Sequence, residues 1–456
     1  MRHRIVVALY SAVFGLVLTV PALAQGRAAG AAPAAAPAPF PASQGIRRIG
    51  HSPRSATTAT GERINSATNS DLAFWGGYAF QGSYDGFRVV DISDPRSPKQ
   101  VAQVNCSGTQ GDVMVWNKIL IRATDQSRAL PNNDLKRACE GGPAGESPAT
   151  FRGLQIFQAD DWTQVTTANL VAAVRLECGS HTHTMAPDWP RNRLIVYSSG
   201  GCNVGPAGRI VAVEIPVDSP QVARVVNNNI PAGLRGCHDV FVNMALKRLI
   251  GACRPKAIVW DISDPANPVE LMQLTHPEIG GWHSAAISYD GKIIALGWEP
   301  GGGTRPRCMA TGTPLPDGRP GEFQTEAMKA IFLFDAETGA FINWHVLPRP
   351  QSEVEACTIH NYHFIPVPGR RLLLHGSYQS GTAIVDLTDP NKPRELVWAD
   401  PGPGQGRVWG SYWYAGNIYE SDMLNGLNIY QVDNSVLSGA LHVPHLNPQT
   451  QEMMVY

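Results

Sequence analysis

The chain of 456 residues is 43% hydrophobic and 16% charged, with a formal net charge of −1. That length allows two or three ordinary domains or one long repeat array. A charge so close to zero supplies no field to recruit nucleic acid or anionic lipid, so neither is expected as a partner.

The chain opens with Arg2 and Arg4, an apolar run from Ile5 to Val20, and Ala22-Leu23-Ala24. This reads as a secretory signal peptide over residues 1–24, cut before Gln25. The apolar run is short for a membrane span of ~20 residues, and Gln25 in place of a cysteine argues against a lipid anchor. No later apolar stretch is long enough to span, so no transmembrane anchor is expected after cleavage. Residues 25–45, rich in Ala and Pro, read as a flexible linker. A secreted or periplasmic protein follows, with residues 46–456 as its folded domain.

The stretch from Cys237 to Leu274 contains four short apolar runs separated by turn residues. Runs of this length, rich in Val, Ile and Leu, read as strands, and Asp264-Pro265 suits the start of a type I turn. The third run recurs six more times: FRVVDISDP from Phe87, GLQIFQADD from Gly153, RIVAVEIP from Arg209, AIFLFDAETG from Ala330, GTAIVDLTDP from Gly381 and GLNIYQVDN from Gly426. Intervals of roughly 45 to 74 residues between units of four strands indicate a β-propeller. The expected fold is therefore all-β, a single seven-bladed β-propeller of four-stranded antiparallel blades spanning about residues 71–433. Two insertions, Asp125 to Thr150 and Gly301 to Thr325, fall between second and third strands. One terminus must supply the missing outer strand of the last blade, because an open ring leaves unpaired edges. The sequence leaves open which.

The eight cysteines of an exported chain read as four disulfides. Cys237 opens a first strand and Cys253 closes the second, so they are neighbours in an antiparallel hairpin. Cys178 with Cys202 and Cys106 with Cys139 repeat this placement, which leaves Cys308 with Cys357. No CxxC occurs to favour clustered zinc ligands.

The sharpest copies, RVVDISDP from Arg88, IVWDISDP from Ile258 and AIVDLTDP from Ala383, resemble the LVIVD repeat of secreted bacterial β-propeller proteins. The resemblance implies an exported propeller. It carries no activity with it, because the repeat is structural.

The chemistry rests on histidines. His183, His238, His283 and His360 each precede, by nearly the same interval, the basic residue that opens a second strand: Arg193, Arg248, Lys292 and Arg371. Four consecutive blades would thus aim one imidazole each at the channel axis. Imidazoles with few thiolates suit Fe, Cu or Zn. His181, Asp239, Glu299 and Glu355 are candidates for the surrounding shell that fixes imidazole tautomers. Four-His coordination on a propeller axis is similar to that of carotenoid-cleaving oxygenases and, more loosely, selenium-binding and methanethiol-oxidase propellers. It implies redox or Lewis-acid chemistry and no substrate. The competing explanation is an ancestral histidine copied through the repeats and satisfied by a neighbouring carbonyl.

No G-x-S-x-G nucleophile elbow is present, and the Asp-rich turns lack the oxygen pattern of calcium loops. Two functions remain open. One is a binding or interaction module of the bacterial envelope, monomeric, recognising a small molecule or an envelope protein through rim loops and channel mouth. The other is a metal-dependent enzyme, an oxidoreductase among the options, with the four histidines as ligands.

Overall fold

The computed structural model describes residues 41–54, 68–106, 108–125, 139, 151–200, 208–299, 326–349, 355–402 and 407–456. The expected signal peptide, most of the linker and nearly all of both insertions lie outside these residues.

Seven antiparallel sheets are arranged as a propeller, numbered here as blades 1 to 7 in chain order. Their first strands are Asn69–Trp75, Gln110–Trp116, Thr182–Asp188, Cys237–Asn243, Ala285–Ile287, Tyr362–Ile365 and Val408–Tyr414. Each contacts the first strands of its two neighbours, so these seven line the axis. The second to fourth strands of blades 1 to 6 pair outward in sequence order, as do the second and third of blade 7.

Alternating apolar residues on both faces of each blade fill the wedges between blades. Phe80 and Phe87 of blade 1 pack on Val113, Leu120 and Phe157 of blade 2, where the Phe87 and Phe157 rings meet edge-on at 5.0 Å. Each such ring contributes about 1.5–3 kcal/mol of burial, which makes the blade-to-blade wedge the principal source of stability.

The repeated D-x-x-D-P sequence is a turn device. At the end of the third strand Asp91, Asp261 and Asp386 each accept a hydrogen bond from the backbone two residues on. Asp264 then accepts from the Ala266 amide, and its own carbonyl accepts from Asn267 at 3.0 Å, with Pro265 at the second position of the turn. Asp sets the turn with its side chain and Pro fixes φ.

Closure uses the N-terminus. Ile46–Pro53 pairs antiparallel with Gly426–Val432 as the outermost strand of blade 7. Just before it, Ala42 and Ser43, inside the stretch read as linker, bond to Ala399 and Trp398 of blade 6. The C-terminal segment does something the sequence did not indicate: it runs round one end of the channel, touching the blades in ring order. Leu441 bonds to Pro366 of blade 6, and Leu446 pairs with Phe74 of blade 1. The Asn447 side chain then holds both backbone groups of Val115 in blade 2, at 2.7 and 2.9 Å. Thr450 and Gln451 pair parallel with Val242 and Asn243 of blade 4, and Val455 ends on Tyr289 of blade 5.

Disulfides join Cys106 to Cys139 and Cys237 to Cys253, as the hairpin geometry predicted. Cys178 and Cys357 are also disulfide-bonded, and no described cysteine is free. Cys202 and Cys308 lie outside the described residues. No helix among the described residues is long and apolar enough to cross a membrane.

Candidate metal centre

The end of the channel opposite the C-terminal segment is built from one backbone irregularity. In blade 4 Cys237 pairs with Cys253 but Val240 with Gly251, so His238 and Asp239 share a single residue across the ladder. Blades 1, 2 and 7 shift register at the same place, around Ser70-Asp71, Gly111-Asp112 and Trp409-Gly410. In blade 5 the His283 amide donates to the Gly297 carbonyl while the Gly297 amide donates to Ser284, and His360-Asn361 sit likewise against Gly376 in blade 6. An extra residue of this kind bends the strand and re-aims side chains. Here it turns them inward around the mouth.

Hydrogen bonds between blades identify the equivalent residues. Thr182 Oγ donates to the His238 carbonyl at 2.9 Å, the Asp239 amide to the His283 carbonyl at 3.0 Å, and Ser284 Oγ to the His360 carbonyl at 2.6 Å. The row is therefore His181, His238, His283 and His360. Consecutive ring centroids are 4.3, 3.9 and 4.6 Å apart.

His183 lies outside the row. It pairs in the regular part of its strand opposite Ser198, and burial pushes its pKa down to about 4. The reason is hairpin length: blade 3 carries a 3-10 turn, Trp189–Arg191, and a longer ladder between the mouth and Arg193 than its neighbours do. Alignment on Arg193 consequently selects His183 where the geometry selects His181.

Three of the four imidazoles have their tautomers set. His360 Nδ1 donates to the Trp409 carbonyl at 2.5 Å, and His238 Nδ1 lies 2.9 Å from Asp239 Oδ1. His283 Nδ1 is 3.3 Å from Ser284 Oγ, whose own proton is committed to the His360 carbonyl, so Oγ is the acceptor. All three thus carry the proton on Nδ1 and keep the lone pair of Nε2 for another partner. Burial lowers the pKa of each: His360 to about 4, His283 well below the ordinary value, helped by neighbouring imidazoles and Arg254, and His238 in the same direction. All three are neutral at pH 7.

His283 Nε2 is buried without a hydrogen-bond partner, 3.4 Å from Glu299 Oε2. An imidazole lone pair and a carboxylate oxygen held that close repel unless a proton or a metal cation lies between them. The other oxygen, Glu299 Oε1, accepts from the Tyr378 hydroxyl at 2.5 Å. Tyr378 holds a left-handed backbone, φ 44°, which costs a non-glycine residue on the order of 1 kcal/mol or more. It also lies against the His360 ring at 4.5 Å. The ligand atoms of His283, Glu299 and His360 fall within 4.8 Å of one another, as do those of His238, Asp239 and His283. These are two candidate metal-binding clusters sharing His283. Ligand bonds of ~2.1 Å would require the sets to contract around an ion.

The anticipated outer residues divide. Asp239 faces His238 Nδ1, and Asp239 and Glu299 each also belong to one of the two candidate sets. His181 belongs to the row itself, with Nδ1 2.5 Å from Asp125 and Nε2 3.2 Å from Gln110. Burial opposes its protonation, but the Asp125 carboxylate prevails and raises its pKa. Glu355 is buried but joins neither set. Sequence reasoning missed Tyr378 and Asp125, since neither recurs in the repeat.

The arrangement defines a class: a seven-bladed β-propeller with a histidine-lined mouth. A family model described as the LVIVD repeat matches residues 68–106, the span of blade 1. The fold is a seven-bladed β-propeller, and its first blade is similar to the LVIVD repeat. No curated protein matches the chain.

Proposed function

We propose that this is an exported metal-dependent enzyme whose centre is held by His283, His360 and Glu299, with His238 completing it. The observation that carries the reading is the approach of His283 Nε2 to Glu299 Oε2, 3.4 Å, inside the set that also contains His360. Two imidazoles and a carboxylate on a site with further open positions suit non-haem iron best among iron, copper and zinc. Bound there, the metal would supply redox or Lewis-acid chemistry to a small molecule entering the mouth.

The chain's own residues have definable tasks. The Trp409 carbonyl, Asp239 and Ser284 keep the Nδ1 protons in place, so no ligand must lose a proton to bind. Tyr378 donates to Glu299 Oε1 and so fixes the orientation of the carboxylate, whose Oε2 faces His283. The apolar cluster of Ala356, Tyr378, Trp409, Met423 and Tyr84 excludes water from the His360 side. Complete cysteine pairing among the described residues supports an oxidising compartment outside the cytoplasm. An interaction module would use the same frame, but a recognition surface has no need of converging buried lone pairs.

Anaerobic titration of the metal-free protein with Fe(II) tests the proposal. One tight site is expected, weakened more than about 100-fold in His283→Ala, beyond what loss of an outer partner costs. Equal, weak uptake by both proteins would refute it.

A further inference from the structure

The C-terminal segment carries one residue, Gln449, whose side chain is placed against the site. Gln449 is 6% exposed and has a left-handed backbone, φ 52°, unusual for glutamine. Its carbonyl is held twice, by Thr184 Oγ of blade 3 and the Val242 amide of blade 4, both at 2.8 Å. Two residues earlier Asn447 is clamped on Val115. With the backbone fixed on both sides, the Gln449 side chain runs along the channel and Nε2 donates to Asp239 Oδ2 at 3.3 Å. The other oxygen of that carboxylate, Oδ1, is the one that faces His238 Nδ1. A chain of contacts therefore runs from the tail through Asp239 to an imidazole of the row.

We infer that the segment from Leu441 to Val455 is a built-in part of the channel wall and that Gln449 is a positioning residue acting through Asp239 on His238. The segment lines the channel at the end away from the histidines, held to successive blades around the ring. Gln449 keeps the carboxylate turned so that Oδ1 meets the imidazole, which holds the proton on Nδ1 and points Nε2 into the row. Without the amide donor the carboxylate loses one of the contacts that set its side-chain torsions, and the His238 tautomer is held less firmly. The strained backbone at Gln449 fits this role, because strain persists where surrounding contacts over-determine it and collects at functional positions. The inference rests on the proposed metal centre for its consequence, but its geometry can be tested without any metal.

The experiment compares Gln449→Leu with the wild type and with Glu452→Gln, which alters the tail's His445–Glu452 pair but not the site. Nitrogen-15 NMR of the histidine side chains in metal-free protein reads the His238 tautomer. Hydrogen exchange at Val242 and Met244, whose amides bond to Gln449 and Gln451, reads whether the tail remains docked. The wild type and Glu452→Gln should show His238 as the Nδ1–H form, and Gln449→Leu a mixture with Nε2–H while the tail stays docked. Cu(II) affinity, used as the metal probe, should then fall about tenfold in Gln449→Leu alone. An unchanged His238 tautomer in Gln449→Leu would overturn the inference. If that variant releases its tail, Asp239→Asn decides: a His238 tautomer identical to the wild type's, with the tail docked, would also overturn it. Absence of Cu(II) uptake by the wild type would count against the metal centre and leave the tautomer result to judge Gln449.

Discussion

The two sides of the ring share one backbone device and put it to different ends. Blades 3 to 6 place His181, His238, His283 and His360 at the first position of the mouth irregularity, whereas blades 7, 1 and 2 place Trp409, Ser70 and Gly111 there. At the next position blades 1 and 2 carry Asp71 and Asp112. Burial raises the Asp71 carboxyl to about 7 despite its Tyr412 and Leu72 donors, and raises Asp112 well above the ordinary value. On the histidine side burial holds His238, His283 and His360 neutral, and His283 Nε2 is buried without a hydrogen-bond partner. The acid side holds carboxyls that resist ionisation. The difference shows that the repeat supplies geometry, while a single side chain per blade supplies chemistry.

Three experiments would break or sharpen that contrast. The largest effect is expected at Gly111, where φ is +72° and an added Cβ would stand 2.0 Å from the Ser83 carbonyl oxygen. No side chain fits, so the row cannot extend into blade 2. Gly111→Ala should cost about 3 kcal/mol in urea unfolding, the upper end for a backbone conflict. A neutral substitution would mean that the acid side is not closed to histidine by geometry.

The second concerns the edge of the row. His181→Ala should weaken Cu(II) binding about tenfold as a neighbour of His238. His183→Ala should leave affinity within about twofold and lower stability by about 1–3 kcal/mol through the cavity it leaves. The opposite pattern would restore His183 to the row.

The smallest effect is a pH dependence on the acid side. Burial and Asp422 raise Glu420 of blade 7 to about 7, although Thr382, Asn428 and Tyr430 oppose the shift. A raised carboxyl keeps its proton in the folded state after the unfolded chain has lost it. Its contribution is therefore full below the unfolded value of about 4.5 and is lost as pH rises towards 7. The melting temperature should fall across that window, and Glu420→Gln should flatten the fall. A steeper fall in the variant would contradict the assignment.

The propeller was readable because the D-x-x-D-P turn is encoded by side chains that make it, and because Cys237 and Cys253 mark two ends of one hairpin. His238, His283 and His360 were readable by spacing. His181 was not distinguishable from His183, since both precede a threonine and only the length of the blade 3 hairpin separates them. The closing strand Ile46–Pro53 and the C-terminal segment were hidden for another reason. Both attach largely through backbone hydrogen bonds, which leave little trace in residue type. Glu299 was noted near the site, but its place beside His283 depends on the path of the chain between blades.

The most direct measurement is the transition-metal content of protein purified from the compartment in which it matures, beside His283→Ala from the same source. The account predicts close to one equivalent in the wild type and less than about a tenth in the variant, because both candidate clusters need His283. Less than about a tenth of an equivalent in the wild type, or the same content in both proteins, would contradict it.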